Sequence, residues 1–226
     1  MHNALAEAGY FIVNGALSKS QLCELRESIE PLLQAQSLAG IRGLAKKVPS
    51  VRTLAESNTV RALVEPVLGA DARLIRSVLF NKSQETNWHV AWHQDLAIAV
   101  EREVAVEGFV SWSVKEGVAH VQPPIAILEK MLTVRLHLDA ADENNGALWV
   151  SPGSHRLGRL AAGEAAGVVE CQGKILCSVQ AGDALILRPL LLHASRKAVR
   201  DNPRRVIHLE FAGVALPKPL AWHDAA

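Results

Sequence analysis

The chain has 226 residues, 49% of them hydrophobic, with 24 Lys plus Arg against 23 Asp plus Glu. That length fits one domain, or one domain with a helical extension, and the apolar fraction is enough for a sizeable core. A formal net charge of +1 gives no electrostatic basis for binding nucleic acid or an anionic membrane.

The N-terminal stretch "MHNALAEAGYFIVNGALS" carries an early acid and no basic region leading into an apolar core, so no secretory signal is expected. No apolar run is long enough for a membrane span, and the expected compartment is cytoplasmic. Ser18 and Gln21 have capping-box spacing, and Leu22, Leu25, Ile29, Leu32 and Leu33 make the apolar stripe of a helix behind them. "SVRTLAESNTVRALVEPVLG" continues the helical pattern and stops at Gly69. Residues 1–72 therefore read as mainly helical.

From "RLIRSVLFNKS" onward the texture is strands and turns. In "MLTVRLHLDA", Leu132, Val134, Leu136 and Leu138 alternate with Thr133, Arg135, His137 and Asp139. "DENNG" is a turn, and "ALWVSPGSHRLG" a strand running into a Pro-Gly loop. "GKILCSVQAGDALILRPLLLHAS" reads as two strands joined at Ala181-Gly182-Asp183, and "RRVIHLEFAGVAL" as another. Between them, 101–130 has Gly, Pro and little periodicity and reads as a long inserted loop, of the kind that often forms a lid. The basic stretch "RKAVRDNPRR" is interrupted by the turn chemistry of Asp201-Asn202-Pro203. The expected fold is mainly β with helices: a single domain over 1–226, with a jelly-roll core at 73–215 packed against the N-terminal helices. Cys23, Cys171 and Cys177 form no framework spacing and are expected as free thiols, small and buried rather than redox-active.

The chemistry centres on "AWHQDLAIAV". Strand residues i and i+2 share a face, so His93 and Asp95 project together, away from Gln94. Two such donors take one edge of a metal's coordination sphere. His193, near the end of an apolar strand, is the best third ligand. Two histidines and one carboxylate make the facial set of non-haem Fe(II) oxygenases, which leaves positions open for a chelating co-substrate and O₂. If the co-substrate is 2-oxoglutarate, its far carboxylate needs a fixed cation, and arginine provides two parallel hydrogen bonds. Arg204 lies eleven residues after His193, and Ser195 two residues after it. Arg205 competes with Arg204, and alternation lets only one of them face inward.

These residues, with "GYFIVNGALSKSQLCELRESI", "LFNKS", "HLDAADENNGALWVSPGSHRLG", "AGDALILRPLLLHAS" and "RRVIHLEF", make the chain resemble the phytanoyl-CoA dioxygenase-like family of Fe(II)/2-oxoglutarate oxygenases. The resemblance implies a double-stranded β-helix, metal ligands at His93, Asp95 and His193, and 2-oxoglutarate contacts at Ser195 and Arg204. It also places Asn81 and Lys82 near the co-substrate. One branch of the family halogenates with a small residue in place of the carboxylate. Asp95 is present here, which favours hydroxylation or a related oxidation of a small molecule.

Thr133 and Arg135 lie on a polar strand face that is compatible with lining the same cavity, Thr133 towards the co-substrate and Arg135 towards the substrate. Trp92 and Trp112 flank the metal strand and the expected lid, and Lys115, His120 and Gln122 are polar groups within that lid; all five are candidate substrate contacts. His155 reads as structural, and His137 and His208 as packed histidines near the site. Two other readings stay open: a binding or sensor module that keeps the metal site, and a metal enzyme that does not use 2-oxoglutarate. Neither needs the Ser195 and Arg204 pair.

Overall fold

The alternation in β8 (Met131–His137) organises the molecule. Leu132, Val134 and Leu136 are fully buried on one face, against a layer of helices. Thr133, Arg135 and His137 are just as buried on the other face, which turns into the interior of a barrel. A strand with both faces buried needs a partner layer on each side.

The computed structural model describes residues 2–35, 39–83, 86–200 and 202–224. Asp201, which opens the expected Asp201-Asn202-Pro203 turn, lies outside them. In chain order, α1 (His2–Glu7) and β1 (Tyr10–Val13) precede α2 (Lys19–Ala35), β2 (Gly40–Arg42), α3 (Leu44–Lys47), α4 (Pro49–Glu56) and α5 (Asn58–Leu68). Then come β3 (Arg73–Lys82), β4 (Val90–His93), β5 (Ile98–Val100), β6 (Val110–Lys115), β7 (Val118–Gln122) and α6 (Ile125–Leu128). After β8 follow β9 (Leu148–Val150), α7 (Glu164–Gln172), β10 (Ile175–Cys177), β11 (Ala184–Leu187), β12 (His193–Ser195) and β13 (Arg204–Ala212).

A six-stranded sheet runs β1-β11-β8-β13-β3-β2, and a four-stranded sheet runs β10-β9-β12-β4, with every pairing antiparallel. Together they form the double-stranded β-helix, and the helices cover the outer face of the larger sheet. The capping box forms as expected: the Ser18 N–H donates to Gln21 Oε1 at 2.9 Å and the Gln21 N–H to Ser18 Oγ at 3.2 Å. Leu25 and Ile29 of α2, Val51 and Leu54 of α4, and Val60, Leu63 and Val64 of α5 are buried against Leu132, Val134 and Leu136. Each such side chain contributes roughly 1.5–3 kcal/mol on burial.

Three expectations change. The segment 101–130 is not a loop throughout: β6 and β7 pair as a hairpin, and β5 joins them in a three-stranded sheet. β6 is almost wholly exposed and its register shifts between Val110 and Ser113, so it carries no hydrophobic alternation to read. Second, "GKILCSVQAGDALILRPLLLHAS" holds three strands, and β10 and β11 lie in different sheets instead of forming a hairpin. Helix α7 buries no residue, which explains why it left no apolar stripe in the sequence. Third, only Cys177 is a buried thiol, whereas Cys23 and Cys171 are exposed. No helix among the described residues is long and apolar enough to cross a membrane.

Candidate metal centre

Pairing of β12 with β4 sets His193 directly opposite His93. Their ring centroids are 4.2 Å apart. Asp95 lies just beyond β4, where its N–H donates to the Pro189 carbonyl at 2.9 Å and fixes the carboxylate between the rings. Its oxygens are 3.7 Å from His93 Nε2 and 3.7 Å from His193 Nε2. One donor atom from each of the three residues lies within 4.8 Å of the others. Gln94 points the opposite way, as alternation requires, and ties the loop behind the site: its amide donates to the Gly158 and Leu190 carbonyls and accepts from the Leu160 N–H.

Both rings are oriented by the same device. Nδ1 of His93 faces the Ala91 carbonyl at 2.9 Å, and Nδ1 of His193 faces the Leu191 carbonyl at 2.9 Å. A carbonyl only accepts, so each ring carries its proton on Nδ1 and turns the Nε2 lone pair toward Asp95. Neither Nε2 has a hydrogen-bond partner among the described residues. Two neutral imidazole nitrogens and a carboxylate, aimed at one point and otherwise unpartnered, are the donor set for a divalent ion such as Fe(II).

The electrostatics agree. Burial raises the Asp95 carboxyl, but attraction from His193, then His93, His208 and Arg76, outweighs it and holds the group at about 2. Burial pushes His193 down to about 4 despite the pull of Asp95, so its ring is neutral at physiological pH. Ligands must be deprotonated to bind a metal, and Asp95 and His193 meet that condition at physiological pH.

The triad opens into a cavity of roughly 610 Å³, counted out to its mouth, between the two sheets. Phe80, Arg135, Arg204 and His208 come from the larger sheet, and Val90, His93, Leu148, His193 and Ser195 from the smaller, with Trp88 and Asp95 completing the wall. Arg204 is buried; its Nη1 donates to the Gly146 carbonyl at 2.6 Å while Nε has no partner among the described residues. Burial, then repulsion from Arg135, brings its guanidinium down to about 9, still charged at neutral pH. Arg205 points the other way and is held by Asp139 at 2.8 Å. Ser195 Oγ donates to the Gly146 carbonyl at 2.8 Å and accepts from Lys82 Nζ at 2.9 Å. Lys82 lies fully buried behind the wall, its ammonium 5.0 Å from the Trp88 ring centre.

A phytanoyl-CoA dioxygenase (PhyH) family model matches residues 5–206. The chain belongs to the PhyH family. Among solved structures, this PhyH chain is similar to EctD from S. alaskensis with 2-oxoglutarate and 5-hydroxyectoine, at 19% identity and TM-score 0.77, covering 99% of this chain and 82% of that one. It is also similar to the non-haem alpha-ketoglutarate-dependent carbocyclase SnoK from nogalamycin biosynthesis, at 16% identity and TM-score 0.72, covering 99% and 85%. HygX from Streptomyces hygroscopicus, with nickel and 2-oxoglutarate bound, matches at 16% identity and TM-score 0.68, covering 92% and 84%. No curated protein matches the sequence.

Within this PhyH fold the remaining candidates separate. Arg135 is in the cavity wall. Thr133 shares its strand face but is not part of that wall. Asn81 stands opposite Arg205 in the sheet, on the face turned to the helices, and alternation keeps it from the side of Phe80 and Lys82. Trp92 lies on the face of β4 opposite His93. Trp112 packs with the cluster of Ile98, Val100 and Val121. Lys115 is exposed, Gln122 pairs with Val110, and His120 lines a separate cavity with Arg42 and Arg76. The expected lid contacts are therefore not brought to the metal cavity, because β6 and β7 belong to the three-stranded sheet with β5 and do not pair with the smaller sheet. Phe80, Trp88, Val90 and Leu148 are wall residues without a motif of their own in the sequence; only Phe80 carries a signal, its parity with Lys82. His208 is both packed and part of the wall, and it shares parity with Arg204. His155 is structural, with Nε2 3.2 Å from the Ala6 carbonyl.

Proposed function

We propose that this protein is an Fe(II)- and 2-oxoglutarate-dependent oxygenase that oxidises a small molecule, with release of succinate and CO₂. The observation that carries the reading is the convergence, in one cavity, of three unpartnered metal donors and a buried arginine with no acid of its own.

His93 Nε2, His193 Nε2 and the Asp95 carboxylate would hold the metal. When bound, Fe(II) supplies O₂ activation, coupling decarboxylation of 2-oxoglutarate to oxidation of the substrate. The remaining work belongs to the protein. Arg204 binds the C5 carboxylate of 2-oxoglutarate by charge-assisted hydrogen bonds, which are stronger where water is excluded. Ser195 donates its hydroxyl to the same anion by turning its one proton away from the Gly146 carbonyl, while Lys82 donates to the hydroxyl oxygen from behind. The Nδ1 bonds of the two histidines keep their donor atoms aligned and neutral. Phe80, Trp88, Val90 and Leu148 supply apolar wall that keeps water from the reacting groups. With Asp95 occupying the carboxylate position, hydroxylation of a C–H bond is the outcome assigned.

The test is anaerobic titration of the Fe(II)-loaded protein with 2-oxoglutarate, followed by admission of O₂ and measurement of succinate. A visible charge-transfer band that saturates, then succinate formation, is expected. Absence of the band with Fe(II) demonstrably bound removes the 2-oxoglutarate reading.

A further inference from the structure

Arg135 is the one buried cation of the cavity wall that the proposed reaction leaves unused. It is 6% exposed on the inner face of β8. Nη1 meets His208 Nδ1 at 3.1 Å, Nε has no partner, and no carboxylate lies within salt-bridge distance among the described residues. Its neighbours differ. Arg76 is paired with Glu210 at 2.7 Å and Arg205 with Asp139 at 2.8 Å.

A relay of side chains holds Arg135 in place. Glu210 accepts from Arg76 at 2.7 Å and faces His208 Nε2 at 2.9 Å. The carboxylate accepts, so His208 carries its proton on Nε2 and presents the Nδ1 lone pair to Arg135 Nη1. The relay thus consumes one corner of the guanidinium and leaves the Nε and Nη2 edge free. The Phe80 ring, with its centre 5.4 Å from Cζ, backs the plane. A fixed, flat, two-donor edge in a buried cavity wall is the geometry that takes a carboxylate side-on.

Charge counting gives the source of that carboxylate. Among the cavity-lining residues, Arg135 and Arg204 contribute two positive charges and Asp95 one negative. A divalent metal and the 2-oxoglutarate dianion cancel, so the wall of the loaded cavity keeps one positive charge, carried by Arg135, and any proton taken up by Lys82 behind the wall adds to that excess. A neutral substrate would leave that guanidinium desolvated without a counter-ion.

We propose that Arg135 recognises the primary substrate, and that this substrate carries a carboxylate bound along the Nε and Nη2 edge. The inference rests on the oxygenase reading, since the count places 2-oxoglutarate on Arg204. The co-substrate's own C1 carboxylate is the competing source of the same chemistry.

The experiment uses full-length protein loaded with Zn(II), to prevent turnover, and saturated with 2-oxoglutarate. Ligand-observed NMR titrations compare benzoate, phenylacetate, 3-methylbutanoate and N-acetylglycine, each with its primary amide. At least one acid is expected to bind at least about tenfold more tightly than its amide. Arg135→Met should abolish that preference and change 2-oxoglutarate affinity less than about threefold, while Arg135→Lys keeps part of it. No preference for any acid over its amide in the wild-type protein overturns the proposal, and this arm needs no variant to fold. So does a loss of 2-oxoglutarate affinity in Arg135→Met with the acid preference intact, which assigns Arg135 to the co-substrate. Failure of the underlying reading looks different: 2-oxoglutarate does not bind the loaded wild-type protein, or binds Arg204→Met equally well, and the inference falls with it.

Discussion

Lys82 and Arg204 stand directly opposite each other on neighbouring strands, both buried and neither paired with an acid among the described residues. Like charges in that relation oppose sheet pairing. Burial, then repulsion from Arg204 and Arg135, pushes the Lys82 ammonium down to about 7. The barrel therefore crowds Lys82 against two buried arginines, and an incoming dianion offsets the repulsion that keeps its proton off.

Binding of 2-oxoglutarate should draw a proton onto Lys82. At pH 7.5 the free protein holds Lys82 largely neutral, and a nearby anion raises its pKa. Titration calorimetry in buffers of different ionisation enthalpy should show fractional proton uptake at pH 7.5, absent in Lys82→Met. Equal heats in all buffers would contradict the assignment.

Arg204→Met should weaken 2-oxoglutarate binding by at least roughly 30-fold, the loss of a buried charge-assisted contact worth about 2–5 kcal/mol. Arg205→Met should leave that affinity unchanged and instead cost about 1–3 kcal/mol of stability, because Asp139 loses two guanidinium bonds and keeps only Arg26 at 3.4 Å and the backbone N–H of residue 205. Paired calorimetry and urea melts of the two variants separate the roles of these adjacent arginines.

Asp95→Ala should lose Fe(II) binding and coupled succinate formation by at least about a hundredfold, while its far-UV circular dichroism stays native. Unchanged coupled turnover would remove the triad assignment.

Gly146→Ala should cost about 2 kcal/mol or more. Gly146 has φ +80°, and an added Cβ would lie 2.7 Å from the Arg196 carbonyl oxygen and 2.8 Å from Lys82 Nζ. Its carbonyl also receives both Arg204 and Ser195, so co-substrate affinity should fall in parallel with the melting temperature.

Acid should destabilise the metal-free protein from about pH 6.5 downward. Burial, then repulsion from Arg135 and Arg204, holds His137 well below its ordinary 6.5, so the unfolded chain takes up a proton there that the folded chain refuses. Stability is thus fully present above pH 6.5 and falls by about 1.4 kcal/mol per pH unit for each such proton. His193 and His208 add to the loss with the same sign. Denaturant melts between pH 7 and pH 5 should show this slope, and His137→Phe should reduce it by close to one proton.

Much of the site was legible because short-range rules produce it. His93 and Asp95 share a face by strand parity, and the capping box of Ser18 and Gln21 marks where α2 begins. The choice between Arg204 and Arg205 was not legible, since alternation says that one faces inward and not which one. Asp139, adjacent in space through β8, decides it by holding Arg205 outside. The hairpin of β6 and β7 is not legible in the sequence because an exposed strand such as β6 has no reason to alternate.

The chain by itself determined which chemistry is available: two imidazoles and a carboxylate at spacings that suit one divalent ion, arginines downstream, and a helical layer with a continuous apolar stripe. These follow from backbone periodicity and side-chain type, which act over a few residues. Tertiary structure decided which polar groups meet. Antiparallel pairing of β12 with β4 set His193 opposite His93, and pairing of β5 with β7 carried His120 and Gln122 away from them. Cross-strand register joins positions about a hundred residues apart through hydrogen bonds between backbones, and those bonds are blind to the side chains that they bring together.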